Sequence, residues 1–346
     1  MESTRHLRGW VNTCRVVCGC GIRRTLATLA GWLESFILDS FIILNMTDLA
    51  ENPFKTTDPI FDEKQALKKD EMPDKIFHRE EEIQQYTIAL EDIVVGHNPN
   101  NVFIYGPTGV GKTAVTLWMG NKLKEKAADT GVPLNVVGPI NCRNYKSAYS
   151  LATALVNEMR TPDDQLPNSG YSTDKVFDFL YHEIENVGGN VLVILDEIDN
   201  IPPEARNDFL YELPRAEANQ NTPITDAKIG LVGISNDLKF VDVLEPKVKS
   251  TLGEREIKFG PYNANELNDI LEYYADKAFK DGVLVDDVVP LAAAFSAQER
   301  GDVRQGKRIL QKAGELARMS DEDMVTAEHT KKATETVETD EILDYF

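Results

Sequence analysis

Residues 101–113 read Asn-Val-Phe-Ile-Tyr-Gly-Pro-Thr-Gly-Val-Gly-Lys-Thr, an apolar run that breaks into glycines and ends on an amine and a hydroxyl. Gly106, Gly109 and Gly111 let the backbone turn sharply, so that its N–H groups converge on an anion. A helix opening at Lys112 would aim the positive end of its dipole at the same point. The G-x-x-x-x-G-K-T pattern covers Gly106, Pro107, Thr108, Gly109, Val110, Gly111, Lys112 and Thr113. Its chemistry is phosphate binding: Lys112 reaches the β- and γ-phosphates, and the Thr113 hydroxyl holds Mg²⁺. A second cluster closes the run 191–199, where five apolar residues lead straight into Asp196 and Glu197. Unpaired carboxylates are costly at the buried end of a strand, so they need a task there. Asp196 would hold Mg²⁺ through water, and Glu197 would orient and deprotonate the water that attacks a γ-phosphate. Asn236 ends a third apolar run, 228–236, where it suits a polar sensor of that phosphate, although Asn at a strand end is also a common turn former. The pair of clusters implies ATP or ADP with Mg²⁺ as cofactors.

These residues need a scaffold that delivers them to one edge. Apolar spacing gives a helix over 114–125, a strand over 134–140 built on Val136 and Val137, and a helix over 145–160 with Ala148, Leu151, Leu155 and Met159 on one face. This alternation is βαβ and predicts a parallel sheet flanked by helices. A turn-rich piece, 161–173, leads to a helix over 174–185 opened by a Ser/Thr cap. A last strand covers 256–259, and Pro261 marks the change to a helical part. Leu267, Ile270 and Leu271 form one apolar face there, 288–297 a second and 303–316 a third, which suggests a small lid bundle of about three helices. Upstream, residues 46–73 are polar, carry Pro53 and Pro59, and are expected to run over the surface. The following segment becomes a helix with apolar positions Ile83, Tyr86, Ile88, Leu90 and Ile93. Lying just before the first core strand, it is placed either to cover a base or simply to pack.

The 346 residues carry 57 acidic against 37 basic side chains, a formal net charge of −20. That opposes the basic footprint of most DNA-binding proteins. Acidity spread along the whole chain suits solubility in concentrated salt, and a halophilic origin is the expectation, with an ordinary acidic cytoplasmic protein as the alternative. Residues 1–45 differ: five Arg face three acidic residues, leaving −22 for residues 46–346. Arg23 and Arg24 precede an apolar run that Glu34 and Asp39 interrupt, a poor fit to a membrane span or an export signal. The expectation is that Met46 is the natural start and 1–45 a disordered or mis-assigned extension, with a membrane-tethering helix as the alternative. Cys14, Cys18 and Cys20 lack a fourth ligand at metal spacing, and Cys142 stands alone in the core, so reduced thiols are the default.

Several strings together resemble an AAA+ ATPase, and more narrowly the archaeal family of origin-recognition and cell-division-cycle initiators. They are Pro73-Asp-Lys-Ile-Phe-His-Arg-Glu80, the loop 106–113, Asn141-Cys-Arg143, Leu195-Asp-Glu-Ile-Asp199, Ile234-Ser-Asn236, Val248-Lys-Ser250, Glu256-Ile-Lys-Phe-Gly-Pro-Tyr-Asn263 and Gly301-Asp-Val-Arg304. The resemblance implies an α/β AAA+ P-loop domain over 46–260, a helical lid over 261–346, and a slow ATPase acting as a switch for DNA binding and helicase loading. It makes Asn236 the first sensor and Arg304 the lid arginine that reaches the γ-phosphate, and places Ile76 and Tyr262 in the nucleotide site. The implied partners are duplex DNA at replication origins, other initiator subunits and a replicative minichromosome-maintenance-type helicase, with no membrane. Lys112 and Asp196 stand 84 residues apart, a surplus that falls at 161–185, where the family has a DNA-contacting helical insertion. Lys247 stands where the family commonly has an arginine finger, with Lys249 or Arg255 as substitutes. The family's winged-helix domain has no counterpart before Phe346, so weak origin binding by this chain alone is expected. The alternative is an ATP-binding paralogue that modulates full-length initiators through protein contacts without itself binding origin DNA.

Overall fold

The computed structural model describes residues 58–68, 73–252 and 255–343. The chain divides after Asp58, and Pro59–Phe346 form the second, compact unit. The expectations for residues 1–45, including the three clustered cysteines, lie outside the described residues. The sheet and its helices belong to the second unit.

Five strands, β1 (Val102–Tyr105), β2 (Leu134–Asn141), β3 (Asn190–Asp196), β4 (Lys228–Ser235) and β5 (Arg255–Lys258), form one parallel sheet in the order β2-β3-β4-β1-β5. β3 and β4 read as nearly continuous apolar runs because both of their faces are covered. On one face Val102, Ile104, Leu192 and Ile194 pack against α1 (Glu80–Val94) and α2 (Lys112–Thr130). On the other, Phe103, Val191, Val193 and Leu195 meet α3 (Ala148–Met159) and α4 (Thr173–Val187). The alternation follows from the two-residue period of a strand. In register, Tyr105 lies opposite Ser235, and Asn141 opposite Asp196. The loops after β1, β3 and β4 therefore leave from the same edge, where ligands bind in open α/β sheets.

Beyond the short α5 (Pro246–Leu252) and β5 come α6 (Ala264–Ala278), α7 (Val288–Glu299), α8 (Val303–Met319) and α9 (Ala327–Leu343), gathered around a core of their own. α9 adds a fourth helix to the three expected. Among its described side chains the buried ones are His329, Thr330, Ala333, Thr334 and Val337, too polar to read as an apolar face.

Within the segment 46–73, which was expected to run over the surface, the described residues 58–68 instead enter a core. Ile60, Phe61, Ala66 and Leu67 are buried in the core of the helical part. The Phe61 ring lies 4.9 Å from that of Phe279, and the Asp62 N–H donates to the Ala278 carbonyl at 2.9 Å. Four apolar residues among prolines and charges carry no periodicity, and their partners lie some 200 positions away. Ile88 is 47% exposed, and Ala89 takes the buried position beside Leu90. The helix expected at 114–125 continues to Thr130 and stops at Gly131, whose φ is +71°. The one expected at 145–160 begins only after Ser147, which caps it. Residues 203–218, read as no element, wind through short 3₁₀ and π-helical turns. Among the described residues no helix is long and apolar enough to cross a membrane.

Candidate functional site

The loop after β1 turns on three glycines with positive φ, +159° at Gly106, +78° at Gly109 and +89° at Gly111, the last of which starts α2. Gly106 sits so close to β5 that a Cβ there would lie 2.3 Å from the Phe259 carbonyl oxygen. The Lys112 ammonium donates to the carbonyls of Gly106 and Pro107 at 2.8 and 2.6 Å and to Asn236 Oδ1 at 2.8 Å. Lys112 is 5% exposed. Burial draws its pKa down to about 8; Asp196 opposes the drop and Arg304 adds to it.

β3 ends on Asp196, whose Oδ2 accepts from the Thr113 hydroxyl at 2.7 Å and whose Oδ1 accepts from the Glu197 N–H at 2.8 Å. Glu197 adopts φ +53°, ψ +46°, a left-handed conformation that a residue with a Cβ occupies only when its surroundings impose it. Asp199, two residues on, turns back to β4. Its Oδ1 accepts from the Ser235 hydroxyl at 2.8 Å and from the Asn236 N–H at 3.1 Å. Asn236 is thus held from behind by Asp199 while its side chain faces Lys112.

The helical part closes the other side. The Val303 N–H donates to the Gly109 carbonyl at 3.2 Å, which docks the start of α8 on the loop. Asp302 caps α8 by accepting from the Arg304 N–H at 2.7 Å, and burial raises its carboxyl pKa. Arg304 lines a cavity of about 430 Å³ shared by both parts. One end of the cavity is polar, with Gly109, Gly111, Lys112, Thr113, Asp196, Glu197 and Asn236; the other is largely apolar, with Ile76, Phe77, Tyr262, Ile270 and Tyr274.

The structure therefore brings together most of the residues singled out from the sequence. Gly106, Pro107, Thr108 and Val110 do not line the cavity. Gly106 and Pro107 serve Lys112 through their carbonyls, Thr108 is exposed, and the Val110 side chain is buried in the core. The finger candidates Lys247, Lys249 and Arg255 are all exposed and away from this cavity. The insertion packs through Leu166, whose backbone pairs with the Asn157 side chain at 2.6 and 3.1 Å, and leaves most of 167–175 on the surface.

Sequence reasoning missed three residues. Arg79, 5% exposed, donates to the carbonyls of Val110 and Gly260 at 3.1 and 2.8 Å and lies 3.7 Å from the Tyr262 ring centroid, so it ties the loop to the hinge between the two parts. Asp199 stands within the string Leu195–Asp199, but its partner on β4 was not visible. Lys307 lines the cavity one turn beyond Arg304; its signal was a lysine on an otherwise apolar helical stripe.

The residues fit a nucleoside triphosphate with Mg²⁺. A glycine cradle opens a helix, the hydroxyl and carboxylate that would hold a hard cation already converge, and apolar side chains suited to a base line the same cavity. The AAA domain family matches residues 95–238, and the Cdc6 AAA+ ATPase-type lid domain matches residues 268–335. ORC1-type DNA replication protein 8 of Haloarcula marismortui is 74% identical over 302 residues, covering 87% of this chain and 68% of that protein. ORC1-type DNA replication protein 8 of Halobacterium salinarum is 44% identical over 85% of this chain and 74% of its own length. Among solved structures, the Aeropyrum pernix ORC1 protein in complex with DNA superposes with a TM-score of 0.72 at 37% identity, over 82% of this chain and 72% of that one. These relatives cover both the sheet domain and the lid, and on their evidence the chain belongs to the ORC1-type family of DNA replication initiators, built on an AAA+ domain.

Proposed function

We propose that this initiator-family chain is an ATP-operated switch, with slow hydrolysis returning it to the ADP state. The supporting observation is the convergence of two pairs at one edge of the sheet, Thr113 with Asp196 at 2.7 Å and Lys112 with Asn236 at 2.8 Å, under a lid that brings Arg304 to the same cavity. Bound Mg²⁺ would supply charge neutralisation to the phosphates, held by Thr113 and, through water, by Asp196. Lys112 leaves its carbonyl partners for the β- and γ-phosphates. Glu197 positions water and takes its proton. Asn236 and Arg304 report from opposite sides whether the last phosphate is present, and the lid favours the closed arrangement only when both are engaged. Ile76 and Tyr262 cover the base. We assign residues 46–260 and 261–346 to the nucleotide and lid domains, with Ile60–Leu67 packing as part of the lid core.

The switch would act, in the cytoplasm, on duplex DNA at origins, on neighbouring initiator subunits and on a replicative helicase. The Aeropyrum pernix ORC1 protein was solved in complex with DNA, and a DNA contact of this chain is proposed at residues 161–185. Six acidic residues face one lysine in that stretch, so its attraction for phosphate is weak. The same charge pattern favours a second reading, in which the chain regulates other initiators through protein contacts. Titration of ATP and ADP with Mg²⁺ into the chain and into Lys112→Ala tests the switch: the parent binds both and the variant binds neither. Glu197→Gln should hold ATP without hydrolysing it. Duplex binding measured across a salt series with each nucleotide separates the two readings; nucleotide binding with no duplex binding at any salt selects the second.

A further inference from the structure

We propose that Lys307 is a base-reading residue of the nucleotide site, donating from its ammonium to a ring nitrogen of a purine. The assignment deepens the nucleotide reading above and rests on it. Lys307 is 3% exposed and lines the cavity, and its Nζ lies 4.0 Å from the centroid of the Tyr274 ring. It occupies an apolar stripe of α8, in line with Leu310 and Gly314, where an aliphatic side chain would pack without the cost of taking a charge out of water.

Its place along the cavity follows from the helix. The Val303 N–H fixes the start of α8 at Gly109, on the phosphate end. Lys307 lies four residues on, about 6 Å along the helix axis, and its ring partner Tyr274 lines the cavity and packs in one apolar cluster with Ile270 and Tyr262. Arg304 and Lys112 already serve the phosphate end, one turn back and across the cavity. On this reading Lys307 falls to the base.

Lysine offers three N–H donors and no acceptor. Toward a purine it can bond N1, N3 or N7 and gains nothing from an exocyclic amine. The ring of Tyr274 holds the ammonium at the wall while it is withdrawn from solvent, which strengthens a hydrogen bond to a ligand acceptor. Because the contact is to the base, it supports ATP and ADP alike. Lys307 would set how long either nucleotide stays, whereas Arg304 sets which of the two is preferred.

The test uses ATP and its 1-deaza, 3-deaza and 7-deaza analogues, each lacking one ring acceptor, titrated first into the unaltered chain. One of the three should bind about tenfold or more weakly, the size expected for a charge-assisted hydrogen bond. Lys307→Met, with its melting temperature as a check on folding, should weaken ATP and ADP by the same factor and bind ATP and that analogue equally. Full affinity for all three analogues overturns the assignment without recourse to the variant. So does a loss in Lys307→Met confined to ATP, which would place the contact on a phosphate, or coupling of Lys307 to a 2′-deoxy analogue instead, which would place it on the ribose. If the unaltered chain binds neither ATP nor ADP, the nucleotide reading itself has failed.

Discussion

Gly109 and Asp302 are in direct contact across the hinge between the two parts: a Cβ at position 109 would lie 1.7 Å from Asp302 Oδ1. A carboxylate is thus held against the loop that should receive phosphates. It stays because it caps α8, accepting from the Arg304 N–H. The capping role favours this residue and the electrostatics oppose it. Asp302→Asn keeps a capping oxygen and removes the charge, so it should bind ATP severalfold more tightly at unchanged melting temperature. Asp302→Ala loses the cap and should cost about 0.5–2 kcal/mol of stability. Titration and thermal melting of the two variants check this, and weaker binding by the Asn variant would show that the carboxylate aids the ligand.

Asp199 controls Asn236 without touching the ligand. Its Oδ1 holds both the Ser235 hydroxyl and the Asn236 N–H. Loss of a hydrogen bond to a charged group is worth about 1.5–3 kcal/mol, or roughly 10- to 100-fold. Asp199→Ala should slow single-turnover ATP hydrolysis by about that factor while leaving ADP affinity nearly unchanged, since ADP lacks the phosphate proposed to face Asn236. Asp199→Asn, which keeps an acceptor, should recover most of the rate. Equal losses for ADP binding and hydrolysis would mean that Asp199 only supports the fold.

Lys112 gives nucleotide affinity and stability opposite responses to pH. Burial lowers its pKa from 10.5 to about 8 in the folded, ligand-free chain. Phosphates need the ammonium, so affinity should be flat below pH 8 and fall above it by up to about tenfold per pH unit. Stability changes the other way. The unfolded chain keeps this proton up to about pH 10.5, so between pH 8 and 10.5 it binds more protons than the folded one, and rising pH favours folding through this group. Calorimetry at pH 7 to 9.5 in two buffers of different ionisation heat should show proton uptake on binding only above pH 8. Constant affinity up to pH 9.5 would refute this account of Lys112.

The convergence of Gly106–Thr113, Asp196–Glu197 and Asn236 was legible because local strings carry it: each closes an apolar run, and a parallel sheet puts such ends on one edge. What escaped were partners far apart in sequence. The pairing of Asp199 with Asn236 depends on β3 lying beside β4, which no spacing reveals. Phe61 meets Phe279 across 218 positions, and its own neighbours are prolines and charges, so the segment looked like a surface tether. α9 was hidden by its threonines, whose hydroxyls bond back to the helix, as Thr334 does to the Thr330 carbonyl at 2.9 Å, and so can be buried in an apolar core. Lys307 breaks an apolar stripe, a signal present in the sequence but marked by no motif.

Arg79 joins three things that must move together if the lid is to open: the Val110 carbonyl of the glycine loop, the Gly260 carbonyl at the hinge and the Tyr262 ring that lines the cavity. It also pairs with Glu82 at 2.9 Å, a carboxylate itself only 12% exposed. A planar fork satisfies the two carbonyls and the carboxylate at once, while a lysine has a single nitrogen for all of them. Arg79→Ala leaves Glu82 without that partner and should cost about 3–5 kcal/mol of stability. Arg79→Lys restores the charge, so it should recover much of the melting temperature but not the link between loop and hinge. Release of a fluorescent ADP, followed by stopped flow, should therefore remain severalfold faster in Arg79→Lys than in the parent. If the lysine variant releases ADP at the parent rate, the guanidinium serves only to neutralise Glu82, and the coupling of loop to hinge runs instead through Val303 and Gly109.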